Sequence, residues 1–192
     1  ILASIAFNSR VTMDQVFTEG IRRISPVDLA MAHEMGYTVK LLAHAYRTDA
    51  GIDVRVHPTM IPESHQLAMV NGVFNAIYTV GDAAGENMFF GEGAGAGPAA
   101  SAVMGDVLEV ARHLQMGIKP IVGCTCTDEL PILSVEDLHT KYYIRFVVAD
   151  RSGVLASAAD IFAKYDVSVK TVTQRGNAAR DDVDLVFVTH TA

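Results

Sequence analysis

Gly91-Glu92-Gly93-Ala94-Gly95-Ala96-Gly97-Pro98-Ala99-Ala100-Ser101-Ala102-Val103 is the stretch that decides how this chain folds. Four glycines alternate with small or acidic residues, and a proline then opens a helical pattern. Val103, Val107, Val110 and Leu114 recur at helical spacing, so a helix is predicted from Pro98 to about Leu114. Proline suits a first turn, where its missing N–H has no partner to lose. A glycine loop feeding a helix leaves backbone N–H groups free and no β-carbons in the way. That arrangement admits a flat or anionic ligand close to the main chain, or simply lets the helix pack tightly. No Gly-Lys-Ser/Thr follows, so the loop is not a P-loop. No acidic residue ends a following strand at the distance a Rossmann fingerprint needs.

Working outward, the preceding block alternates helices and strands. An opening helix runs to about Asn8, and Thr12 is expected to cap a helix from Met13 to Glu19. Ser25-Pro26 with Asp28 caps another that reaches Glu34 and stops at Gly36. Strands are expected over Tyr37–Tyr46 and Ile52–His57, turning at Gly51, then over Gly72–Val80 and Asn87–Phe90, joined through Gly81 to Gly85. Residues 117–139 break the periodicity with Pro120, Gly123 and Pro131 and read as a connection. Beyond them, Tyr142–Val148 alternates as a strand and Asp150-Arg151-Ser152-Gly153 makes a turn. Val154, Ala158, Ile161 and Tyr165 form a helical stripe, and Val167–Thr173 and Val183–His190 are strands separated by a turn at Arg175-Gly176-Asn177. The fold class is therefore α+β: a mixed, largely antiparallel sheet with helices, followed by a β–α–β–β unit, the first two-thirds of a ferredoxin-like fold. The expected domains are 1–116 and 140–192, with 117–139 between them.

The 192 residues can bury a real core. A formal charge of −7 speaks against nucleic acid and against a polybasic membrane contact. No apolar run approaches the roughly 20 residues of a membrane span. The two cysteines, Cys124 and Cys126, have no further ligands at metal-site spacing, so no metal is expected, and scarce cysteine suits the cytoplasm. His33, His44, His57 and His65 fall on different elements and read as surface or core-edge residues. Asp181-Asp182 reads as a solvated turn, and Met13, Met31, Met35, Met60 and Met69 as packing residues. Lys40, the one lysine of the first block, reads as an edge or surface charge. The chain opens at full helical stride on Ile1 and ends two residues past a strand, so both ends are expected to be cut from a longer polypeptide.

Several stretches, in order, resemble the homoserine dehydrogenase family: Ile1-Leu2-Ala3-Ser4-Ile5-Ala6-Phe7, Gly36–Ala43, Val54-Arg55-Val56-His57-Pro58-Thr59-Met60-Ile61-Pro62, Val73-Phe74-Asn75-Ala76, and Gly93-Ala94-Gly95 leading into Pro98–Val103. The last block resembles an ACT domain, with Asp150-Arg151-Ser152-Gly153-Val154-Leu155 as its signature turn. The resemblance implies an NAD(P)-dependent oxidoreductase interconverting L-aspartate 4-semialdehyde and L-homoserine, on the route to threonine, isoleucine and methionine. It implies that the family's catalytic lysine, its acidic substrate ligands and its Rossmann domain lie upstream of Ile1. No catalytic residue is therefore assigned here, and the chain alone is expected to be inactive. Gly95 matches the family glycine near the nicotinamide, with Gly93 its neighbour, so NADP or NAD contact is expected at these two. Many relatives carry Thr where this chain has Ala99. The ACT resemblance implies a small amino-acid effector, threonine, at Asp150, Arg151, Gly153, Val154 and Leu155, and side-by-side pairing into a homo-oligomer. The other readings are a non-catalytic amino-acid-binding regulatory module and an oligomerisation scaffold.

Overall fold

The computed structural model describes residues 1–119, 126–176 and 182–191. Pro120, Gly123, Cys124, Asn177 and Asp181 lie outside them. The chain divides into two compact units, Ile1–Ile132 and Leu133–Ala192.

The first unit is organised by one long hairpin, β2 (Tyr37–Thr48) with β3 (Gly51–Pro62). Its two-residue turn, Asp49-Ala50, is closed by Thr48. The hydroxyl accepts from the Ala50 and Gly51 N–H groups at 3.2 Å and donates to the Gly51 carbonyl at 3.1 Å. Twelve pairs run from Thr48↔Gly51 to Tyr37↔Pro62. Ahead of it α1 (Leu2–Phe7) ends on Asn8 in the left-handed region, φ 51°. Helix α2 (Pro26–Glu34) begins with a reciprocal capping box: Asp28 N–H donates to Ser25 Oγ, and Ser25 N–H donates to Asp28 Oδ2 at 2.8 Å. Met31 and Ala32 of this helix are buried. Gly36, at φ 78°, then turns the chain into β2.

The helix expected over Met13–Glu19 does not form. Thr12 and Gln15 close a capping box around a single 3₁₀ turn, Met13–Gln15. The β-branched and aromatic residues that follow favour an extended backbone. Phe17–Thr18 (β1) accordingly pairs in parallel along β3, opposite Arg55 and Val56. The strands of this block also form two sheets rather than one: β1-β3-β2, and a separate hairpin of β4 (Phe74–Gly81) with β5 (Gly85–Glu92). Helix α3 (Ala96–Met116) starts two residues earlier than expected. Within residues 117–139, Asp128 N–H donates to the Asn8 carbonyl at 2.9 Å, Leu130 N–H to the buried Ser9 Oγ at 3.0 Å, and the Pro131 carbonyl accepts from Ile52 N–H at 2.8 Å. Asp128–Ile132 is thus stitched to the first unit.

The second unit runs β6 (Tyr143–Ala149), α4 (Val154–Lys164), β7 (Val169–Gly176), β8 (Asp182–Thr189), after a 3₁₀ turn at Val135–Asp137. The strand order is β6-β8-β7 and both pairings are antiparallel. The central strand, β8, carries the core: Val183, Leu185, Val186 and Phe187 are buried. The Phe187 ring lies 4.8 Å from that of Phe162 on α4 and 6.0 Å, edge-on, from that of Phe146 on β6. Arg145 and Asp184 pair across β6 and β8 at 2.8 Å.

Phe187 ties helix to sheet, so Phe187→Ala is expected to destabilise the second unit by about 3–5 kcal/mol. Urea unfolding followed by circular dichroism measures this. A loss below about 1 kcal/mol would contradict a core centred on that ring.

Candidate functional site

The glycine loop lies at the end of the β4–β5 hairpin. Phe74↔Glu92 is the last strand pair, and the Gly93 N–H then reaches the Val73 carbonyl at 3.4 Å. Gly95 caps α3 with φ 127° and ψ 155°, a region that only glycine occupies without strain. A β-carbon there would meet no described side chain but Pro98, at 3.4 Å. Gly93 to Gly97 are all exposed, and no side chain caps the first turn of α3. The first N–H groups of a 21-residue helix therefore stand open beside a bare main chain. At Gly93 the missing side chain has a different cause: Asn75 fills the space a β-carbon would take. The two predicted cofactor residues thus share one loop but differ in what requires glycine.

Lys40, expected as an edge or surface charge, is half-buried on β2 and hydrogen-bonded. Its Nζ donates to the Val70 carbonyl at 2.6 Å and to Asn71 Oδ1 at 2.8 Å, tying β2 to the turn before β4.

The histidines are not all scattered either. His44 on β2 and His57 on β3 share one face of the hairpin, with rings stacked 5.2 Å apart. The signal was in the register: with Thr48 opposite Gly51, His44 faces Arg55, and His57 lies two residues along the same face. Asp53 belongs to this face, is buried, and pairs with Arg55 at 3.1 Å. His57 Nδ1 lies 2.9 Å from the Pro58 carbonyl, which can only accept, so Nδ1 carries the proton. His57 Nε2 and Arg55 Nε are buried without a hydrogen-bond partner among the described residues. Burial, and then the charges of His57 and Arg55, hold the His44 imidazole down to about 4. Burial raises the Asp53 carboxyl against the opposing pull of Arg55 and His57. No group of three or more potential ligands fit for a metal occurs among the described residues, and no described helix is long and apolar enough to cross a membrane.

In the second unit the Asp150–Leu155 turn leads into α4 through Gly153, at φ 90°. Asp150 Oδ1 accepts from Gln174 Nε2 of β7 at 3.4 Å, and Arg151 N–H donates to the Ala149 carbonyl at 3.0 Å. Arg151 and Leu155 are exposed and Val154 is half-buried.

These features define the class of protein: an α+β lobe that presents a glycine loop and a long helix, followed by a β–α–β–β unit. The chain belongs to the homoserine dehydrogenase family, whose profile matches residues 1–108. It is 43% identical over 201 residues to the homoserine dehydrogenase of Mycobacterium tuberculosis and 44% identical over 197 residues to that of Corynebacterium glutamicum. All of this chain is covered in both matches, and 45% and 44% of the two relatives. The crystal structure of a homoserine dehydrogenase from Thiobacillus denitrificans superposes on the whole chain with a TM-score of 0.88 at 36% identity, over 44% of its own length. A Staphylococcus aureus homoserine dehydrogenase structure gives 0.68 at 25% identity. The chain thus spans less than half the length of the relatives it matches.

A base whose pKa falls on folding, as at His44, binds fewer protons folded than unfolded between about 4 and its ordinary 6.5. Its contribution is present above pH 6.5 and is lost as the pH drops toward 4. Asp53, raised on folding from 3.8, acts in the opposite sense above that value. The first unit is expected to lose urea resistance across the histidine window, and His44→Gln to flatten that slope. An unchanged slope in the variant would exclude His44 as its source.

Proposed function

We propose that this chain works as part of an NAD(P)-dependent oxidoreductase that interconverts L-aspartate 4-semialdehyde and L-homoserine. Family membership supports the activity. The observation that carries the chain's own share in it is the Gly93–Gly95 loop, with an open side at Gly95 and a main-chain conformation closed to other residues. A dinucleotide held on another domain supplies the hydride when bound. Gly95 lets its nicotinamide half approach the backbone, and Gly93 belongs to the same contact. The uncapped N–H groups of α3 offer partial positive charge on that side. Lys40 is read as a structural cation that holds the turn before β4 through Val70 and Asn71. Scarce cysteine supports a cytoplasmic setting.

The second unit is read as an ACT-type regulatory domain that takes threonine at the Asp150–Leu155 turn. Its β–α–β–β order and its glycine-led helix support this. Self-association is read from the exposed apolar side chains of α3, β4 and β5, among them Val103, Val107, Leu114, Ile77 and Phe89.

The test joins the chain to its dinucleotide-binding domain and follows NAD(P)H oxidation with aspartate semialdehyde. Turnover is expected, and its absence would refute the activity. Gly95→Val should raise the cofactor KM by about tenfold or more, equivalent to about 1.4 kcal/mol. Titrating the chain calorimetrically with threonine checks the second unit: no heat up to millimolar ligand would dismiss the effector role.

A further inference from the structure

Beyond β5, the Asn75 carboxamide lies over the end of the hairpin. Asn75 pairs with Gly91, and its side chain turns toward residues 73 and 93. Its nitrogen is 3.5 Å from the Val73 carbonyl, the same oxygen that Gly93 N–H reaches at 3.4 Å. A β-carbon on Gly93 would sit 2.8 Å from Asn75 Cγ and nearer still to Nδ2, inside contact distance. The Gly93 backbone is not in the left-handed region. Glycine at 93 leaves room for the Asn75 carboxamide, which a side chain there would have to displace, whereas glycine at 95 is required by its own dihedral angles. The turn that leads into β4 is held by the Lys40 ammonium through Val70 and Asn71.

The geometry points to Asn75 as a positioning residue of the cofactor site: its carboxamide, seated on Gly93, sets the direction in which the main chain leaves β5. Only Ala94 separates that contact from Gly95, so a shift at Gly93 passes almost directly to the open face and to the first turn of α3. Asn75 acts through Gly93 and need not touch the dinucleotide. The inference rests on the reading that the cofactor lies against Gly95.

The test is a reciprocal size exchange in the polypeptide that carries this chain with its dinucleotide-binding domain. Gly93→Ala, Asn75→Ala and the double variant are compared by NAD(P)H binding, read from nucleotide fluorescence without turnover, and by amide hydrogen exchange at Gly93–Ala96. Each single variant is expected to weaken binding about tenfold and to speed exchange in the loop. The double variant is expected to recover binding to within about threefold of the parent, because the new methyl takes the place of the carboxamide. If Gly93→Ala does not fold alone, the comparison is between the double variant and Asn75→Ala, and the double must bind more tightly. Additive losses, or single variants that bind like the parent while Gly95→Val binds weakly, would overturn the role of Asn75 and leave the cofactor reading intact. Unchanged binding in Gly95→Val would remove the cofactor reading, and the proposal with it.

Discussion

The turn at Asp49-Ala50 sets a single register along twelve residue pairs, and the first unit depends on that register. Slipping β2 by one residue would send every side chain to the opposite face. In the register observed, β3 receives β1 along its free edge, and Ile52 N–H meets the Pro131 carbonyl. Lys40 comes within reach of Val70 and Asn71, and so the turn before β4 is tied to this hairpin.

The same register gathers Lys40, His44, Asp53, Arg55, His57 and Thr59 on one face of the hairpin. A polar face of this kind is costly unless its members satisfy one another. Thr59 Oγ1 meets His44 Nε2 at 3.0 Å and Asp53 meets Arg55, but two nitrogens stay without partners among the described residues. Keeping His44 neutral limits the repulsion from Arg55 and His57, and couples the hairpin to the ambient pH.

The described surfaces of β5 and α3 present the opposite problem. No residue of either is buried, although both carry large apolar side chains. Helix α3 forms from its periodicity and ends at Gly117, in the left-handed region at φ 64°, yet its apolar stripe finds no cover within the first unit. Such a stripe is a surface suited to burial against another element. The glycine loop stands at the junction of these two elements, with conformational freedom used at Gly95 and free space used at Gly93.

Much of this was legible in the sequence by itself. Signals that act over a few residues were enough for α2, because Ser25, Asp28 and Gly36 cap and stop it locally. They were enough for both hairpins, for the helix after the glycine loop and for the β–α–β–β order. The ordered motifs from Ile1 to Val103 also sufficed for the family. The tertiary structure alone decided the rest. Val16-Phe17-Thr18 left its expected helix because the edge of β3 was there to pair with. Lys40, His44 and His57 acquired their partners from strand register and from a turn 30 residues away. The division of labour between Gly93 and Gly95 came from where the Asn75 side chain lands. Caps, turns and alternation are written in neighbouring residues, whereas these contacts join residues distant in the chain, and they exist only once the backbone has brought them together.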